Sequence, residues 1–200
     1  MYKMMQDGTQ QLSQYLRSLY SMPEDILQEG INLFQAVQVP KGAFLFREGM
    51  ICRELAFVHY GLLRAFSLRE DGRELSSCFA MEHDFACDYN SLIHSVPASK
   101  SIQALEDCQL MVITHHNLQQ LQDRYPAWQH MGKILADKEF IEKERWANRL
   151  RLDNAAERYQ YILEEQPGLI NRVPVNQLAS YLGMTTRTLS RVRKALCRQQ

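Results

Sequence analysis

Apolar residues fall at mixed three- and four-residue spacings from Leu12 through Leu16 and Leu19 to Ile26, Leu27, Ile31 and Phe34, with an interruption over 21–25. The spacing predicts one or two short helices between positions 15 and 35. Over 37–114 the texture changes, because Gly42, Gly49, Gly61 and Gly72 punctuate short runs of Val, Ile, Phe and Leu. That rhythm predicts an antiparallel sandwich or barrel. Within it, 66–75 alternates around Asp71-Gly72, a pair suited to supply the positive φ angles of a tight hairpin.

After Pro126 the chain reads as helix to about Arg151, a length of about 37 Å at roughly 1.5 Å per residue. A helix longer than a small domain needs must pack against something else. Met131, Ile134, Leu135, Ile141 and Trp146 form an apolar stripe that Lys138, Glu142 and Arg145 interrupt. Such a stripe suits pairing with a symmetry mate or lying along the chain's own β-domain, and its charged interruptions exclude a strict leucine-zipper heptad. A further helix is expected from Asn154 to Glu164, closed by Pro167-Gly168.

The stretch 175–194 reads as helix, tight turn, helix. Ala179 is small enough for a close helix crossing, and Gly183, four positions on, can take the left-handed conformation that a reversal needs. Leu178, Leu182, Met184, Leu189 and Val192 occupy the positions to be buried, and Thr185 can cap the second helix. Its outward face offers Thr186, Arg187, Ser190, Arg191 and Lys194, beside Thr188, with no acid to repel phosphate. In a DNA-binding unit of this kind the second helix enters the major groove, so Thr185, Thr186, Arg187, Thr188, Ser190, Arg191 and Lys194 are the candidate DNA-binding residues.

Charge strengthens this reading. The 200 residues carry 23 Lys/Arg and 23 Asp/Glu, for zero net charge, yet positions 171–200 hold six Lys/Arg and no acid. A basic end on an acidic body points to an anionic partner. With 46% hydrophobic residues the chain is expected to build a globular core. No apolar run spans a bilayer and the first residues lack the order of a signal peptide, so a cytoplasmic place and no membrane partner are expected. The five cysteines, Cys52, Cys78, Cys87, Cys108 and Cys197, are odd in number and widely spaced, which favours reduced thiols.

In its order of parts the chain resembles the Crp/Fnr superfamily of bacterial transcription regulators over roughly 25–196. Pro40-Lys41-Gly42, Phe46-Arg47-Glu48-Gly49, Tyr60-Gly61-Leu62-Leu63-Arg64 and Ser101-Ile102-Gln103-Ala104-Leu105-Glu106 are similar to stretches of short members. The implied fold is α+β: an N-terminal antiparallel, jelly-roll-like β-roll of the cyclic-nucleotide-binding type, a long dimerisation helix, and a C-terminal helix-turn-helix without an evident β-wing. The expected divisions are 1–125 for the sensor domain, 126–151 for the dimerisation helix and 152–200 for the DNA-binding domain. The resemblance implies a homodimer on a palindromic operator of double-stranded DNA, with half-sites roughly 34 Å apart, and RNA polymerase as a partner.

The sequence departs from the cyclic-nucleotide binders of this fold, in which a Glu holds the ribose and an Arg neutralises the cyclic phosphate. Asp88 falls at the Glu position, Ala98 at the Arg position, and Ser99 alone fits. Lys100 is expected on a strand, facing away from Ala98. Cyclic AMP is therefore not the expected ligand; Cys87, Asp88, Tyr89 and Ser99 could line a pocket for another small effector, or the roll could be filled. No cofactor is expected. The first cysteine is Cys52, unlike the N-terminal cluster of iron-sulfur members, and none of His59, His83, His94, His115, His116 and His130 sits in a haem-ligand motif. A metal-dependent cupin would need a His-x-His pattern that is missing, and His115-His116 would point to opposite faces of a strand, so an enzyme is not expected. The alternative to a DNA reader is a ligand-sensing or protein-interaction β-roll whose terminal helices serve assembly.

Overall fold

A computed structural model describes residues 2–196. The chain divides into two compact units, Met1–Ala65 with Phe79–Asp137, and Phe66–Cys78 with Lys138–Gln200. In the first, α1 (Tyr2–Leu19) and α2 (Glu24–Ile31) precede β1 (Gln35–Val39), β2 (Phe44–Phe46), β3 (Glu54–Tyr60) and β4 (Leu63–Leu68). Then come β5 (Glu74–Ala80), β6 (Phe85–Ala86), α3 (Tyr89–His94), β7 (Ser101–Ala104), β8 (Cys108–Thr114) and α4 (His115–Arg124). The strands form two four-stranded sheets in the orders β1-β8-β3-β6 and β2-β7-β4-β5, the expected antiparallel roll.

Strand β8 is central in its sheet, with Val39 opposite Cys108 on one side and Leu55 opposite Ile113 on the other. Met111 and Ile113 are buried in one core with α1 and α4, and Leu110 and Val112, on the strand's other face, are buried as well, so its apolar run is continuous rather than alternating. Leu12 and Leu16 of α1 pack with Leu27, Ile31, Phe57 and Met111 in one core. Full burial of each such leucine contributes about 1.5–3 kcal/mol. Helix α1 begins well before the predicted start, because its first half is polar and only one narrow face meets the sheet.

Two further differences have local causes. His115-His116 opens α4 rather than lying on a strand: Thr114 ends β8 and its hydroxyl accepts the Asn117 N–H at 3.2 Å, an N-cap. At the β4–β5 hairpin, Gly72 alone takes positive φ (79°), and its N–H donates to the Arg69 carbonyl at 2.9 Å. Asp71 supplies no positive φ; its carboxylate instead accepts the Arg73 N–H at 3.1 Å and pairs with the Arg73 guanidinium. The connection is thus a turn over 69–72 closed by a left-handed glycine.

Helix α5 (Pro126–Leu152) runs from the first unit into the second. In the first unit Trp128 and Met131 are buried with α1 and α2, and Leu135 packs against them. In the second unit Trp146 stacks on Tyr181. Phe140, Ile141 and Leu152 remain exposed. Helix α6 (Ala155–Glu165) starts at a capping box: the Asn154 side chain accepts the Glu157 N–H at 3.1 Å, and the Glu157 carboxylate accepts the Asn154 N–H at 2.7 Å. Pro167 opens a short α7 (Pro167–Arg172) instead of merely ending α6, as a proline at the first helical position can. Helices α8 (Val175–Tyr181) and α9 (Thr186–Leu196) complete the unit. Cys197 and Arg198, counted among the thiols and the basic end, lie outside the described residues.

Candidate nucleic-acid interface

Helices α8 and α9 meet through Leu178, Ala179, Leu182 and Leu189, none more than 1% exposed, with Met184 and Val192 half-buried beside them. The reversal between them is closed by two bonds, Met184 N–H to the Ala179 carbonyl (3.0 Å) and Gly183 N–H to the Ser180 carbonyl (3.1 Å). This pairing requires a left-handed residue after the helix, and Gly183 supplies it at φ 63°. A β-carbon at Gly183 would also meet Leu150 Cδ2 at 3.2 Å.

Thr185 caps α9 as expected: its hydroxyl accepts the Thr188 N–H at 3.1 Å and bonds the Thr188 hydroxyl at 2.9 Å. The Ser190 hydroxyl donates to the Thr186 carbonyl at 2.9 Å. These hydroxyls therefore serve the helix itself. Thr186, Arg187, Ser190, Arg191 and Lys194 are all exposed, and Thr188 is half-buried. The long donors Arg187, Arg191 and Lys194 occupy one exposed side of a helix that carries no acid. Arg193 differs, lying over the Tyr159 ring at 5.6 Å from its centroid.

The aromatic residues that hold this helix pair in place have no motif to announce them. Trp146 and Tyr181 stack with centroids 4.4 Å apart, and Arg149 bonds Asp153 at 2.8 Å while covering the Tyr161 ring at 3.8 Å. Arg158 donates to the Asp153 carbonyl at 2.7 Å, tying α6 back to the end of α5. The ring partners lie in other helices, so spacing within one helix could not reveal them, whereas Arg149 and Asp153 stand at a legible i,i+4 spacing.

The expected effector residues divide. Asp88, 3% exposed, caps α3 by accepting the Ser91 N–H at 3.1 Å, and it also accepts the Ser99 N–H (3.1 Å) and hydroxyl (3.0 Å). Burial pushes its carboxyl pKa up, but the Ser91 and Ser99 hydrogen bonds and the Lys100 charge outweigh this and hold it below the ordinary carboxylate value. Asp88 is thus engaged in stitching the loop. Tyr89 is 60% exposed, Cys87 is half-buried, and Ala98 is buried. Lys100 is not on a strand; it precedes β7 and its charge reaches Asp88. Ser91, missed in the sequence, joins this stitch: its hydroxyl accepts the Cys52 N–H at 2.8 Å and donates to the Val96 carbonyl.

The histidines are dispersed: His59 bonds Gln11, His83 stacks on Tyr15, and His130 packs against Tyr20. Among the described residues no group of three or more His, Cys, Asp or Glu is placed to hold a metal ion, and no helix is long and apolar enough to cross a membrane.

Residues 36–125 match the cyclic nucleotide-binding domain family. The anaerobic regulatory protein of Bacillus subtilis (strain 168) is 29% identical over 82 residues, 41% of this chain. The match spans about a third (34%) of that relative's length. Among solved structures, FixK2 from Bradyrhizobium japonicum is similar with a TM-score of 0.74 at 19% identity, covering 83% of this chain and 85% of that one. The c-di-GMP responsive global regulator CLP of Xanthomonas campestris gives a TM-score of 0.69 at 20% identity over 88% and 93% of the two chains. The Thermus thermophilus catabolite activator protein gives 0.58 at 22% identity over 92% and 87%. The chain thus carries a domain of the cyclic nucleotide-binding type over 36–125, and its fold is the one these solved structures share.

Proposed function

We propose that the chain is a sequence-specific regulator of transcription that reads double-stranded DNA through α9, acting as a homodimer on a palindromic operator. One observation carries the reading: Arg187, Arg191 and Lys194 stand exposed on an acid-free helix whose opposite side, at Leu189, is wholly buried. An arginine so placed can fork onto guanine O6 and N7, and a nearby lysine neutralises phosphate. The exposed Phe140, Ile141 and Leu152 of α5 support pairing of two copies. Acting on promoters makes RNA polymerase the protein partner, and the cytoplasm is the place of action.

The effector, in this reading, is a small molecule other than cyclic AMP, because Ala98 offers no cation and Asp88 is already bonded to Ser91 and Ser99. No catalytic role belongs to it. The test is selection of bound fragments from a random duplex pool, followed by titration of the selected site between about 50 and 200 mM salt. A reader that neutralises several phosphates loses affinity steeply over that range. Failure to enrich any duplex, or affinity indifferent to salt, would favour a sensing or assembly module instead. Tight, stoichiometric binding of cyclic AMP in calorimetry would overturn the effector part alone.

A further inference from the structure

Strand β5 is the edge of its sheet. An edge strand presents alternate N–H and C=O groups to whatever lies beside it, and Glu74 and Ser76, two residues apart, present theirs to the same side. The hairpin residues Phe66–Cys78 form one compact unit with the helix-turn-helix. The Ser180 hydroxyl lies against this edge. Ser76 N–H donates to Ser180 Oγ at 3.0 Å, and Ser180 Oγ donates to the Glu74 carbonyl at 3.2 Å. One side chain thus accepts and donates as a neighbouring strand would.

Its position gives this contact a mechanical consequence. Ser180 lies in the last turn of α8, and its carbonyl accepts the Gly183 N–H that closes the turn into α9. The same residue holds the strand with its side chain and the turn with its backbone. Ser76 is 4% exposed, so water has little access to replace the hydroxyl while the contact is closed.

We propose that Ser180 is a hydroxyl latch through which the β4–β5 hairpin positions the helix-turn-helix, so that a change at the β5 edge is passed to the turn carrying α9. Release of the latch loosens the turn as well as the strand.

Amide hydrogen exchange on the full chain tests this without DNA, so its outcome is separate from that of the DNA-reading proposal. Ser180→Ala keeps a good helix former on α8 but removes the hydroxyl; Ser180→Thr keeps the hydroxyl. In Ser180→Ala the Ser76, Gly183 and Met184 amides are expected to exchange about tenfold faster, while β8 amides keep their protection. In Ser180→Thr all of them should stay within about threefold of the parent. Faster exchange at Ser76 alone would reduce the contact to a local bond and overturn the proposal. No change, or an equal rise that includes β8, would overturn it too.

Discussion

Trp146 and Tyr181 stack with ring centroids 4.4 Å apart and planes inclined by 18°, so the second half of α5 is fastened to the first helix of the helix-turn-helix. Tyr181 is 8% exposed, and the stack lies beside the turn at Gly183. An aromatic pair contributes about 0.5–1.5 kcal/mol beyond the area it buries, and truncation also removes that burial. Trp146→Ala should therefore destabilise the second unit by about 2–3 kcal/mol. The chain has two tryptophans, so in this variant Trp128 is the sole tryptophan emitter, excited selectively over tyrosine, and reports the first unit. Its urea transition should stay in place while the helical circular-dichroism signal is lost earlier; unaltered curves by both probes would show that the stack holds nothing.

The same tryptophan shows where the sequence is legible and where it is not. Gly183, Thr185 and the alternation of buried and exposed positions on α9 are local necessities of a tight helical reversal, so residue type and spacing suffice to locate them. Trp146 sits at a helical spacing that reads equally well as a stripe toward a second chain. Its actual partner comes from another helix, which no local period encodes. Strands β3 and β8 are legible as strands from their β-branched and aromatic runs. Helix α4 and the first half of α1 escape, because a polar helix laid on a sheet needs only a few apolar residues, such as Leu121 in α4. Asp88 is legible as a departure from a ribose-binding acid, but its stitching of Ser91 and Ser99 depends on a loop closing eleven residues later.

Gly30 lies inside α2, where alanine would ordinarily gain about 0.5–1 kcal/mol through chain entropy and helix propensity. Here a β-carbon would fall 1.9 Å from Trp128 Cζ2 and 2.4 Å from Cε2. The ring is 2% exposed and its Nε1–H donates to the Ile26 carbonyl at 3.1 Å, so it cannot swing aside without breaking that bond. Sterics outweigh propensity: Gly30→Ala should cost about 3 kcal/mol and shift Trp128 emission to longer wavelength. A gain in the urea midpoint would mean that the ring moves freely.

Asp88 predicts a pH dependence with a definite sign. Its folded-state pKa is depressed below the unfolded value of about 3.9, so its contribution to stability is fully present above that value. It is lost as pH falls through the lower folded value. Asp88→Asn weakens the bonds to Ser91 and Ser99 and should cost about 1–3 kcal/mol at pH 7. The gap between parent and variant should narrow below about pH 4, where the parent begins to protonate. Denaturation at pH 7 and near pH 3 checks this, and a gap that widens in acid would contradict the assigned direction.

Within α9, two arginines two residues apart should behave oppositely. Arg191 is exposed on the acid-free side, whereas Arg193 is half-buried over the Tyr159 ring. Arg191→Ala should weaken binding to a selected duplex by about 1–3 kcal/mol and relax its specificity, with the thermal midpoint unchanged. Lys194→Ala, which removes a candidate phosphate contact, should weaken all duplexes alike and reduce the salt slope by about 1. Arg193→Ala should instead lower stability through lost packing on Tyr159, leaving the order of preference among duplexes intact. Fluorescence anisotropy across a set of single-base variants of the site, paired with melting curves, separates the three. If Arg193→Ala relaxed specificity while Arg191→Ala only lowered the melting temperature, the side of α9 assigned to the groove would be the wrong one.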